Sequence, residues 1–381
     1  MSSTKPRPHQ HSAAKVSQKS LAKYSPVSLS TLAEWGVIVA LILYPFLPIP
    51  ATYGTQLSNL FIFAILALGL NVVVGYTGLL NLGIAAFFGI GAYITGILMA
   101  SPTYPFGWNF VPTLVVATLG AGAAGLMLGA PTLRLRGDYL ALVTLGFGEV
   151  LRTSLENLEE ITGGTRTLGP IPPPAPETLI GLEFDWSQDF RPFYYLNLIV
   201  LAIVVKLLFN LERSKLGRAW VAIREDELAA TCMGISAARV KMSAFAAGAA
   251  IAGLAGSLYA INLGNTSAPA AFDFNRSIMM LCCVILGGLG SIRGTLLGVL
   301  LLIGFDNVLS PILDGLIQQS GLNPDGSRFL TFSSWRLLIF GLALILMMRL
   351  RPEGLIPASR VQLELHPEHE NGATIATKGA T

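Results

Sequence analysis

Long apolar runs recur along the sequence at 34–50, 57–75, 79–100, 110–130, 139–157, 193–211, 242–262, 276–292, 295–313 and 334–350. Crossing a bilayer takes roughly 20 mostly apolar residues in a helix. The pattern therefore predicts an all-α polytopic membrane protein with about ten transmembrane helices, of which 139–157 and 276–292 are the weakest. One polar interruption differs from the rest. Residues 211–241 contain "AIREDELAATC", in which Glu225, Asp226 and Glu227 stand in a row between basic flanks.

Composition supports the membrane reading. The chain of 381 residues is 52% hydrophobic and only 12% charged, against about 25% charged in a soluble domain. Mean hydropathy is +0.62. Three cysteines, two of them adjacent within an apolar run (Cys282 and Cys283), argue against a disulfide framework.

The placement of basic residues gives an orientation. With an even span count and the N-terminus inside, eighteen Lys and Arg fall in cytoplasmic segments and six near the outside: Arg152, Arg166, Arg191, Arg276, Arg328 and Arg336. Cytoplasmic loops carry the excess of positive charge, so both termini are expected inside. This divides the chain into a flexible basic cytoplasmic tail (1–33), a transmembrane domain (34–355) and a second cytoplasmic tail (356–381). The first tail, with five basic residues, eight serines and no acid, superficially suits an organellar transit peptide. Its single Arg and lack of a clear amphipathic helix favour the tail.

The loop 158–192 is then external, acidic and stiffened by "PIPPPAP" at 170–176. It is either a docking surface for an external partner or a hydrated connector.

Catalytic motifs are wanting. "GAGAAG" at 120–125 matches a dinucleotide-binding pattern, but it lies inside an apolar span rather than between a strand and an open helix end. Gly125 and Gly129 read instead as a small-residue packing seam. There is no phosphate-binding G-x-x-x-x-G-K-[ST] motif, and the four histidines lie near the two ends of the sequence. No cofactor, metal or nucleic-acid partner is expected.

Polar groups within apolar runs carry more information, because hydrocarbon penalises them by several kcal/mol unless they are paired or wet. Asn71, Asn81, Glu149 and Asp306 stand out. Glu149 shares a helix face with Arg152. It is either half of a pair that packs helices or an acid lining a wet pathway. Lys206 reads as a snorkelling residue. Two glycine-punctuated segments, "GYTGLLNLG" at 75–83 and "GGLGSIRG" at 287–294, resemble each other. Paired glycine-interrupted segments in two halves of a transporter point to a midplane pathway. Gly75, Gly78, Gly287, Gly288 and Gly290 therefore join Asn71, Asn81 and Glu149 as candidate pathway residues.

Three stretches carry a family resemblance: "LGLNVVVGYTGLLNLGIAAFFGIGAYITGIL" (68–98), "LRLRGDYLALVTLGFGEVLR" (133–152) with "TGGTRTLGPIPPP" (162–174), and "GRAWVAIREDELAATCMGI" (217–235) through "GGLGSIRGTLLG" (287–298). From about 60 to 355 the chain resembles the permease subunits of branched-chain amino-acid ABC importers, specifically the larger of the two paired permeases. Ile84 stands where many relatives have His, and "TGGTRTLG" is longer than the usual T-G-G-x-x-G. The resemblance implies a second permease subunit, two cytoplasmic ATPase subunits, an external substrate-binding protein and a place in the plasma (inner) membrane. It implies a substrate that is a branched-chain or other neutral amino acid, with urea or a short amide as the alternative. From the residues themselves, an ion-coupled secondary transporter using Glu149 or Asp306 also stays open.

The charged insert then has a reading. Asp226 is an expected N-cap and Gly234 a terminator, with Leu228, Ala229, Cys232 and Met233 on one face between them. Eight residues are too few for a helix to persist alone, since isolated helices need about 12–15. The segment must dock on something. Other ABC importers dock their ATPases through E-A-A-x-x-x-G; "LAATCMG" (228–234) matches it except that Leu228 replaces the acid and Glu227 comes one position early. No I-x-L-P follows. An ATPase-coupling role is expected for Asp226, Glu227, Leu228, Ala229, Cys232, Met233 and Gly234, against packing on the helix's own bundle.

Overall fold

The computed structural model describes residues 41–46, 51–100, 104–132, 138–174, 178–179, 182–183, 186, 189–319, 335–351 and 354–356. The chain divides into two compact units, Met1–Pro50 and Ala51–Thr381. In the first, Tyr44–Phe46 forms a 3-10 turn; the predicted tail 1–33 lies outside the described residues, as does the predicted span 34–50 apart from 41–46.

Among its described residues the second unit is helical, with one short hairpin of β1 (Thr178–Leu179) and β2 (Leu182–Glu183), paired antiparallel. In chain order the helices are α1 (Ala51–Asn71), α2 (Ile84–Met99), α3 (Phe110–Thr132), α4 (Asp138–Asn157), the single turn α5 (Glu159–Thr162), α6 (Arg191–Glu212), α7 (Lys215–Glu225), α8 (Glu227–Cys232), α9 (Ala237–Leu263), α10 (Phe274–Gly287), α11 (Ile292–Gly304), α12 (Ser310–Gln319) and α13 (Arg336–Leu350). The apolar runs other than 34–50 each fall on a helix. Among the described residues, six stretches are long and apolar enough to cross a membrane: Ala51–Tyr76, Phe110–Ala130, Arg191–Glu212, Ala237–Leu263, Pro269–Gly287 and Ile292–Asp314. The chain is an integral membrane protein in which α2 and α13 are shorter than the expected ten-span pattern supposed, and α4 is more polar.

The boundaries move for local reasons. The run 79–100 opens late, at Ile84, because Gly78 has φ +69° and Asn81 folds a turn onto the Gly83 amide. The run 276–292 opens early and closes early. Asp273 caps the α10 N-terminus by accepting the Arg276 amide at 3.1 Å, and Gly288 (φ +122°) and Gly290 (φ +80°) break the chain. Ser291 then caps α11 through the Gly294 amide at 3.1 Å. The run 242–262 is extended backwards to Ala237, so the end of the charged insert becomes the first turn of a membrane helix.

α1 is apolar all round and lies at the centre, with every residue from Leu60 to Asn71 buried. α9 packs against α1, α2 and α3. Lipid is as apolar as leucine, so helices in a membrane associate through close packing and hydrogen bonds rather than hydrophobic burial. Small residues supply the closeness. A Cβ on Gly125 would lie 2.5 Å from Ala249 Cβ, and Gly129 faces Phe245 and Met242. Gly122 and Gly125 of "GAGAAG", with Gly129, thus form the α3–α9 seam, while Gly120 faces Ile94 on α2. Hydrogen bonds tie Asn197 to Ser58 (2.8 Å), Thr95 to Ser257 (2.7 Å) and Asn262 to Asn59 (2.8 Å) between helices. Peripheral faces carry Val111, Val115 and Leu119 on α3, Ile199, Ile203 and Leu207 on α6, and Leu338, Leu342 and Ile345 on α13, all exposed at helical spacing. The guanidinium of Arg276 lies over the rings of Phe63 and Tyr259, which offsets its charge at the head of α10.

Candidate functional site

The two glycine-punctuated segments meet. α1 does not end at Asn71 but continues as a π-helical turn, Val72–Tyr76, which carries Gly75. Asn71, 1% exposed, turns its side-chain oxygen onto the Gly290 amide at 2.9 Å. This contact joins positions 219 residues apart. It exists only because residue 75 has no side chain: a Cβ there would overlap Asn71 Oδ1 and crowd the Gly290 nitrogen. Gly290 in turn lies in the left-handed region, with its Cα side 3.1 Å from the Gly75 carbonyl oxygen for any added Cβ. π-helical turns concentrate at functional sites.

A third segment closes this seam. α7 leaves the membrane helices at Ser214, whose hydroxyl caps it by accepting the Gly217 amide at 3.3 Å, and runs back against the π-helical turn. Arg224 donates from Nη1 to the Gly75 carbonyl. Its stem passes within contact of Gly78, where a Cβ would sit 3.2 Å from Arg224 Cγ. One turn earlier, Trp220 is buried, donates from Nε1 to the Ser243 hydroxyl at 2.9 Å, and stacks on Tyr76 with centroids 6.3 Å apart. Sequence reasoning missed both residues, counting Arg224 only as one more cytoplasmic basic group. A signal existed: Trp220 and Arg224 are four apart on a short amphipathic helix, and so share one face.

The remaining pathway candidates are spread out. Gly287 packs against Gly294, and Gly288 against Gly354, where Leu355 and Ile356 donate backbone hydrogen bonds to Leu286 and Gly287 at 3.0 Å. These two glycines seat the segment 354–356, apart from the Asn71 contact. Asn81 is buried and builds its own turn; next to it the Leu82 amide donates to Thr144 Oγ1 on α4 at 3.0 Å. Glu149 accepts from Arg152 Nε at 2.9 Å, and Arg152 also reaches Glu156 at 2.5 Å. This trio lies along α4 with the Glu149 side chain 41% exposed, and among the described residues both ion pairs of Arg152 stay within α4. It borders an open groove of about 630 Å³ lined by Glu149, Val150, Thr153, Ser154, Asn157 and Leu158. Asp306 is half-buried in a second π-helical turn, Phe305–Leu309, and Lys206 is exposed.

The charged insert has the expected caps. Asp226 Oδ1 accepts the amides of Leu228 (2.8 Å) and Ala229 (3.0 Å), and Gly234 closes the segment at φ +86°. α8 is six residues long rather than eight. Its Ala230 is buried, whereas Leu228 (71%) and Met233 (83%) are exposed, together with Ala229, Cys232 and Gly234. Glu227 is fixed by Lys241 Nζ at 2.7 Å, on the first turn and a half of α9. The apolar face that was expected to dock therefore points away from the helix's own bundle.

A family model described as the permease component of branched-chain amino acid transport systems matches residues 53–348. The chain belongs to this family. It is 41% identical over 357 residues to the high-affinity branched-chain amino acid transport system permease protein LivM of Escherichia coli K12, covering 88% of this chain and 76% of that one. The Salmonella typhimurium LivM is 42% identical over 331 residues (82% and 71%). The high-affinity branched-chain amino acid transport system permease protein LivH of E. coli K12 is 27% identical over 246 residues (63% and 79%). No solved structure matches significantly. The permease is thus a transport subunit, a component of a multi-subunit system rather than an enzyme in its own right. The match spans the Asn71–Gly290 seam, α7 and α8 alike.

Proposed function

We propose that the permease provides the translocation pathway of an ATP-driven importer for branched-chain or other neutral amino acids, working beside a second permease subunit, two cytoplasmic ATPases and an external substrate-binding protein in the plasma (inner) membrane. The observation that carries this reading is α8: a two-turn helix, capped at both ends, holds Leu228 and Met233 in solvent while its one inward residue, Ala230, anchors it. Burying a Leu side chain contributes roughly 1.5–3 kcal/mol, so this face is built for a groove on a partner. In a chain without a nucleotide-binding motif, that partner is the ATPase. The similarity to both LivM and LivH supports a heteromeric permease pair.

The topology proposed with it has ten crossings and both termini inside, on the eighteen-to-six distribution of basic residues. α7 and α8 then lie in the cytoplasm and 158–192 outside. The Asn71–Gly75–Gly290 seam would form the inner end of the pathway, with Glu149 and its groove farther out. An acid on the open face of a membrane helix fits a wet passage or a subunit boundary better than lipid. The test is cysteine crosslinking from position 228 to the ATPase in the assembled complex. A crosslink that forms only with nucleotide-dependent intensity is expected; none in an active complex would remove α8 from the coupling role. Labelling of a cysteine at Ser214 by an impermeant reagent in intact cells would overturn the orientation.

A further inference from the structure

We propose that Arg224 is a positioning residue that latches the coupling segment to the glycine seam, so that displacement of α8 by the ATPase is delivered to the Asn71–Gly290 contact. This rests on the transport reading above and names the residue through which it acts.

Four features converge on the junction. Arg224 Nη1 donates to the carbonyl of Gly75, inside the π-helical turn. The same guanidinium nitrogen lies 3.3 Å from where a Cβ on Gly290 would be, so Arg224 lies beside both glycine segments at once. The residue is separated from the α8 N-cap, Asp226, by Glu225 alone, so α8 cannot shift far without pulling on it. Trp220, buried on the same helix face and stacked on Tyr76, makes α7 a rigid arm rather than a tether. One polar group here is left unsatisfied: the Tyr76 hydroxyl is buried with no hydrogen-bond partner among the described residues. A guanidinium suits the task because its planar fork presents several fixed donors, whereas a lysine ammonium is a single point.

The test uses the full complex in liposomes, with wild type, Arg224→Met and Arg224→Lys measured for assembly, ATP hydrolysis and amino acid taken up per ATP hydrolysed. Arg224→Met is expected to assemble, hydrolyse ATP, and lose at least tenfold in uptake per ATP. Arg224→Lys, which keeps the charge and N–H donors but not the planar fork, is expected to lose severalfold at equal assembly, and it carries the test where the Met variant does not assemble. A wild-type ratio in an assembled variant would overturn the latch, as would losses of uptake and hydrolysis that simply follow the amount of complex. If the wild-type complex itself shows no ATP-driven uptake, the transport reading fails, which is distinguishable from failure of the latch alone.

Discussion

The glycine seam and the tip of α8 are both made of short, irregular chain between long helices, yet they end in opposite states. At the seam, Asn71, Gly75, Gly290 and Arg224 satisfy one another within the chain, from three segments far apart in sequence. At the tip, the caps are satisfied but the apolar side chains are not: Leu228 and Met233 are among the more exposed large hydrophobic residues described. Closely fitted backbone without side chains suits a place that must change shape. Exposed apolar side chains on a pinned helix suit a place that must be gripped. The distance between these two roles is one short arm, α7.

The comparison can be broken most decisively at the seam. Gly290→Val is expected to abolish uptake, because it puts a β-branched residue at φ +80° and a Cβ within 3.1 Å of the Gly75 carbonyl. Gly78→Val, at φ +69°, should act alike. Uptake by vesicles containing equal amounts of complex decides; normal transport by both would make these segments ordinary packing.

Next in size is the tip. Leu228→Asp removes an anchor worth roughly 1.5–3 kcal/mol, a factor of about 10 to 150 in ATPase docking. ATPase activity that no longer responds to substrate and binding protein is the expected result. Unchanged stimulation would return α8 to a surface ornament of its own bundle.

Glu149→Gln sharpens the contrast between seam and groove. It takes charge from a half-buried trio on α4 without touching the seam, and a severalfold fall in uptake at unchanged assembly is expected. No change would leave Glu149 as a partner of Arg152 only. Smallest should be Glu225→Gln at the rim of the tip, since exposed ion pairs contribute about 0–1 kcal/mol. Uptake within about twofold of wild type is the expectation, and a loss matching that of Leu228→Asp would show the tip to be gripped by charge.

Much of the fold was legible because its signal is local. A membrane helix must satisfy its backbone within itself, so an apolar run announces itself wherever it sits, and the caps at Asp226 and Gly234 depend only on residues within three or four positions. The seam was half legible. Glycine spacing marked 75–83 and 287–294 as a pair, but the same rule gathered Gly287 and Gly288, which seat 354–356 instead. Spacing records that a side chain is absent and is silent about which backbone comes close.

By itself, then, the sequence determined the helical membrane class, the family, the placement of the helices beyond residue 50 to within a few residues, and a capped apolar tip in the charged insert. Only the tertiary structure decided that Asn71 reaches Gly290, that Gly75 is bare to let it, that Glu149 lies on an open face, and that Arg224 is not one more basic surface group. The physical reason is range. Helix formation and capping are settled by groups a few residues apart, whereas a contact across 219 residues depends on how long apolar helices stack, and apolar surfaces in a membrane are nearly interchangeable until side-chain shape and a few hydrogen bonds choose among them.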